Sequence, residues 1–182
     1  MTLAAVPWTD VEKILRQRCV TDVLVAGYIE RDGGLPQFKP APVVVFVLLN
    51  GGKEALRLEA DDQEAQLAVS IVENVTLKGV RLFDLFEEET GDEPALASLS
   101  DQLLGDGWTQ LRCTATRAFT DARSSPESGV LKSLALELDS RHWLFFDPTW
   151  VFGIRIGKAE DLHSWERDYG GEGMAEQPEA AR

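Results

Sequence analysis

The stretch Val130–Gly157, VLKSLALELDSRHWLFFDPTWVFGIRIG, decides the fold. Leu134, Leu136 and Leu138 alternate with Ser133, Ala135 and Glu137, the period of a strand with one face toward a core. Asp139–Arg141 reads as a turn, His142–Asp147 as a second strand broken by Pro148, and Trp150–Gly157 as a third. Consecutive strands with tight connections imply an antiparallel meander.

An earlier stretch follows the same pattern. Val43–Leu49, VVVFVLL, is apolar throughout, as a central strand covered on both faces is. Asn50-Gly51-Gly52 turns the chain into Ala55–Glu59, where Leu56 and Leu58 point one way and Arg57 and Glu59 the other. Gln66–Glu73 follows, with Leu67, Val69 and Ile71 on one face, while Asp22–Arg31 and Gln110–Thr120 each open one of the two runs. Val45, Val47 and Leu49 lie over Leu134, Leu136 and Leu138 at an offset of 89 residues. The expected fold is therefore α+β, mainly antiparallel β: a single domain, residues 1–169, built of two similar four-stranded halves, about 22–73 and 110–157.

Short helices flank and separate these halves. Thr9-x-x-Glu12 has capping-box spacing and predicts a helix over 9–19. Leu35–Pro42 holds three prolines and reads as an irregular or extended connection. Residues 76–107 read as an acidic helical insert, with Leu96, Leu99 and Leu103 at helical spacing after Pro94. Ala159–Tyr169 predicts a last helix carrying Leu162 and Trp165, and residues 170–182, poor in apolar side chains, a disordered tail.

The net charge of −13 is unevenly placed: residues 51–107 carry −10 and residues 158–182 carry −4. An acidic field repels nucleic acid and accelerates encounter with a basic protein. No apolar run reaches the roughly 18 residues that span a bilayer, and the N-terminus lacks the regions of a secretory signal, so a cytoplasmic protein with no membrane contact is expected.

Catalytic and cofactor signatures are missing. Gly33-Gly34 and Gly51-Gly52 fit turns, not a phosphate-binding loop, and there is no G-x-S-x-G or H-E-x-x-H. Cys19 and Cys113 stand alone, and His142 and His163 gain meaning only if one meets a thiol or carboxylate in space. Asp61-Asp62-x-Glu64 and Glu87-Glu88-Glu89 lack the alternation and turn glycine of a calcium loop. No cofactor, no metal and no catalytic residue is expected.

What remains is binding. Trp143, Phe145, Trp150 and Phe152 crowd into ten residues. If one face of their sheet stays open, aromatic anchors are exposed there. The candidate partner-binding residues are the acidic groups Glu59, Asp61, Asp62, Glu64, Glu87, Glu88, Glu89 and Asp92, with Asp147, Trp150 and Trp165. The expected function is a non-enzymatic immunity protein that neutralises a secreted, basic bacterial toxin. The alternatives are an acidic secretion chaperone or adaptor that holds an extended segment on a sheet edge, and an enzyme using carboxylates or His163.

Overall fold

The computed structural model describes residues 6–31, 34–61, 64–80, 82–83, 92–105, 108–171 and 173–177. Its class is α+β and its bulk is antiparallel sheet. Among the elements that lie wholly within the described residues are three α-helices, α1 (Trp8–Arg16), α2 (Ser100–Leu104) and α3 (Ala159–Tyr169), and eleven strands. These are β1 (Cys19–Glu30), β2 (Gln37–Leu49), β3 (Glu54–Asp61), β4 (Gln66–Val72), β5 (Glu93–Ser98), β6 (Leu111–Thr120), β7 (Val130–Leu131), β8 (Ser133–Leu138), β9 (His142–Trp150), β10 (Gly153–Gly157) and β11 (Ala175–Glu176).

The strands run in the order β10-β9-β8-β6-β1-β2-β3-β4-β7, with β5 added beside β1 and β11 beside β6. Inward side chains of β2–β4 (Val45, Val47, Leu56, Leu58, Leu67) and of β8–β9 (Leu134, Leu136, Leu144, Phe146) share one core. The sheet therefore folds back on itself, and Trp8, Val11 and Leu15 of α1 complete the same core. The unbroken apolar run Val43–Leu49 is explained by a second cluster on the outer face, where Val44 and Phe46 are covered by Leu77, Val80 and Phe83. On the outer face of the other end, α3 lays Leu162 and Trp165 over Phe119, Ala135 and Phe145. Trp143 and Phe145 do point away from Leu144 and Phe146, but this helix covers them, so they are not the exposed anchors expected of an open sheet face.

The run Val130–Leu138 is two strands, not one. Val130 and Leu131 pair with β4, whereas Ser133–Leu138 pair with β6 and β9, so this one segment joins the β4 end of the folded sheet to the interior of its other half. The crossing falls at Lys132, whose side chain is buried; its Nζ donates to the Ala65 carbonyl at 3.0 Å and stands 3.8 Å from Asp121 Oδ2.

Several local expectations are corrected. Residues 93–98 are strand β5, paired with β1 from Leu24↔Ser98 to Ile29↔Glu93; of the stretch 94–104, helix is confined to Ser100–Leu104. The open edge of β1 supplied backbone partners that outweighed the helical spacing of the leucines. Asp22 locks this addition: its carboxylate accepts from Ser98 Oγ at 2.7 Å and from Ser100 Oγ.

The first helix starts at Trp8, after Pro7, and no side chain caps it. Glu12 does not reach back to Thr9; it is 1% exposed and accepts from Arg16 Nη2 at 2.9 Å and Thr116 Oγ1 at 2.8 Å.

Neither prolines nor the expected tail interrupt the sheet as foreseen. The segment 37–42 is extended but is the start of β2 and not a connection: its pairing with β3 begins only at Val44, so Pro40 and Pro42 lie along an edge unpaired among the described residues, where a missing N–H costs little. Pro148 does not end β9, because the register slips between Gly153 and Arg155 opposite it. In β6 a register shift between Cys113 and Ala115 turns Thr116 and Ala118 inward, against simple alternation. Within the stretch expected to be unstructured, Ala175 and Glu176 pair with Thr120 and Phe119.

Candidate functional site

The hairpin joining β9 to β10 carries the most exposed aromatic surface among the described residues. Trp150 is 44% exposed, Val151 82% and Phe152 67%, and the Trp150 and Phe152 rings meet edge-on with centroids 5.2 Å apart. Gly153 makes this tip possible. Its φ is +111°, and a Cβ there would stand 2.6 Å from the Pro42 carbonyl oxygen, so only glycine lets β10 lie so close to β2.

Two depressions meet at Trp150. One is a mainly apolar groove of about 670 Å³, walled by Phe38, Pro40 and Pro42 of β2, by Ala97 of β5 and by Ile154 and Ile156 of β10, with Phe152 at its rim. β10 ends the strand path and β5 pairs only with β1, so each keeps one strand edge without a partner among the described residues. The other is a cavity of about 470 Å³ between β9 and α3, lined by Asp147, Glu160, Asp161 and Asp168 against a single cation, Arg155.

The α3 face of that cavity follows from helical spacing. Glu160 and Asp161, Ser164 and Trp165, and Asp168 and Tyr169 recur every four residues on one side. Asp161 accepts from the Lys158 backbone N–H at 2.9 Å and from Arg155 Nη2 at 2.6 Å, so it both caps the helix and ties it to β10. Trp165, 4% exposed, packs between Phe119 and Phe145 at centroid distances of 5.0 and 5.5 Å and stacks on Tyr169 at 5.6 Å.

Of the residues singled out from sequence, the structure brings Asp147, Trp150 and Trp165 together around this one cavity. Trp165 is a packed wall of it, not a surface anchor. Glu59, Asp61 and Glu64 sit apart, at the β3–β4 turn. Their charge is largely matched: Glu59 pairs with Arg57 at 2.7 Å, and Glu64 lies 3.6 Å from Arg123. Asp92 precedes β5 and is half-buried. Asp62, Glu87, Glu88 and Glu89 lie outside the described residues.

Phe38, Pro40 and Pro42 are not legible from sequence as site residues, because prolines mask a strand; Phe152 stands out only as one of four crowded aromatics, and its neighbour Val151 not at all. The face of α3 was legible in the spacing of its acids and aromatics but was not used.

The nucleophile option recedes on geometry. The Cys113 thiol donates to the Ala115 carbonyl at 3.4 Å, and burial pushes its pKa up to about 12, with Glu12 and Glu137 adding to the rise against Arg16. A thiol so protonated is a poor nucleophile at neutral pH. His163 is exposed on α3, and no helix among the described residues is long and apolar enough to cross a membrane.

Compared with protein-family models, curated proteins and solved structures, the chain matches none.

Proposed function

We propose that this chain is a non-enzymatic protein-binding protein whose partner docks on the Trp150–Phe152 tip and in the groove beside it. The observation that carries the reading is an exposed pair of large aromatic residues, held rigidly by Gly153 against β2, at the mouth of an apolar groove. Large aromatics in such positions dominate binding energy at protein interfaces. The acidity of the chain favours a basic partner.

The setting we favour is that of a cytoplasmic immunity protein against a secreted, basic bacterial toxin. A second setting, escort of a secreted protein, is favoured by the two free strand edges of β5 and β10 beside the groove, which suit an extended segment. The test is capture of neighbouring-gene products on the purified protein, at low and high salt, with W150A/F152A as comparison. Loss of capture in the double variant supports the tip as the docking surface. Unchanged capture places docking elsewhere, and no capture at either salt removes both settings.

The two four-strand meanders also read as copies of one unit. The support is in the register: the row Val45–Leu58–Val69 of β2–β4 corresponds to Leu134–Phe146–Ile156 of β8–β10. In each, a later segment covers the outer face, 77–83 in the first and α3 in the second.

A further inference from the structure

We propose that the cavity between β9 and α3 receives an arginine side chain of the docked partner. This rests on the protein-binding reading above and specifies what the partner must carry. The argument starts with Asp147. It is 6% exposed, yet it lines the cavity. Its Oδ1 accepts from the Thr149 backbone N–H at 2.9 Å and from Thr149 Oγ1 at 2.6 Å, whereas Oδ2 has no hydrogen-bond partner among the described residues. This carboxylate oxygen faces the cavity with no donor among the described residues, so a cation entering the cavity can complete it.

The rest of the lining asks for the same ligand. Glu160 and Asp168 add two carboxylates, and the resident cation, Arg155, is already paired with Asp161 at 2.6 Å. Trp150 and Tyr169 add aromatic side chains to the lining. Aromatic walls with carboxylates suit an organic cation more than a metal ion, and among the described residues no group of three acidic, histidine or cysteine side chains is placed to hold a metal. A guanidinium has five N–H donors in a plane, so it can reach several carboxylates while stacking on a ring; an ammonium, a compact point charge, does less. Trp150 is a wall of both the groove and the cavity, so one partner segment can fill the groove with apolar side chains and set an adjacent arginine into the cavity.

The test uses the whole protein and N-acetyl-arginine amide as probe, followed by the Trp165 indole N–H resonance, with the citrulline and lysine analogues alongside. The arginine probe should give a saturable shift, lysine a weaker one, and neutral citrulline none. Asp147→Asn should weaken the arginine probe at least tenfold, and Asp168→Asn, on the exposed helix face, about threefold. Glu64→Gln, at the β3–β4 turn, should change nothing. Equal binding of citrulline, or arginine binding that survives both Asp147→Asn and Asp168→Asn, overturns the proposal; so does an equal loss in Glu64→Gln, which would mean diffuse charge attraction. If Asp147→Asn fails to fold, Asp168→Asn and the citrulline comparison still decide. The probe has no apolar segment, so its capture does not depend on the groove, and failure of partner docking at the tip would show separately.

Discussion

At the scale of single residues, buried charge is what the fold depends on most. Glu12 is fully desolvated and is held by Arg16 and Thr116. Glu12→Ala would leave a part-buried guanidinium and a buried hydroxyl without their acceptor, and should destabilise the protein by about 3 kcal/mol in denaturant unfolding. A change below about 0.5 kcal/mol would show that water replaces the carboxylate without loss. The sequence offered Glu12 as half of a capping box, because a motif of local spacing says nothing about a hydroxyl more than a hundred residues away.

Glu176 makes a prediction in pH. Hydrogen bonds from Arg117 Nε and Nη2, both 2.8 Å, hold its carboxyl below the ordinary glutamate value of 4.5, against the opposing effect of its partial burial. A depressed carboxylate contributes stability that is present above the unfolded-state value and is lost as pH falls through the folded one. Amide protection at Ala175–Gln177 should therefore be intact at neutral pH and fade below about 4.5 before the rest of β6 opens. Protection unchanged down to global acid unfolding would contradict this.

At the scale of elements, the periodicity of apolar residues carried β3, β4 and α3 with little error, and the cores of β2 and β8 without their starts. Each of these buries a face that its own sequence announces. The failures share one cause: an element decided by a neighbour and not by its own residues. β5 exists because β1 has an edge to fill, and Pro148 stays within β9 because β10 slips register beside it. The proposed docking site is split in the same way. Asp147, Trp150 and Trp165 stood out as residue types in sequence, whereas the groove that gives Trp150 a context needed β2 and β5 to be placed first.

Gly153 is the element-level test of that site. Gly153→Ala puts a Cβ against the Pro42 carbonyl in a positive-φ position and should cost about 2 kcal/mol or more in stability while loosening the tip. Phe152→Asp, on an exposed ring, should leave stability within about 0.5 kcal/mol and yet abolish partner capture. Normal capture by Phe152→Asp would detach the tip from function.

At the scale of the whole molecule, the stretch 130–157 does more than supply a core. Its first residues pair with β4, its next with β6 and β9, and its last form the exposed tip. Neither the change of sheet at Lys132 nor the closure it produces is visible in an alternating pattern, which reads the same on either side of a crossing. If each meander with its covering segment is a unit, fragments 1–106 and 107–182, produced together, should associate into a stable complex whose β1–β6 pairing is that of the intact chain. Fragments that stay unfolded when mixed would count against the unit.

The docking proposed here falls at the β9–β10 tip and not at the acidic β3–β4 turn. Hydrogen exchange on the full chain, with and without a basic neighbouring-gene product that it captures, tests this most directly. The account predicts added protection at residues 150–157 and 95–99 with no change at 59–66; protection confined to 59–66 would contradict it.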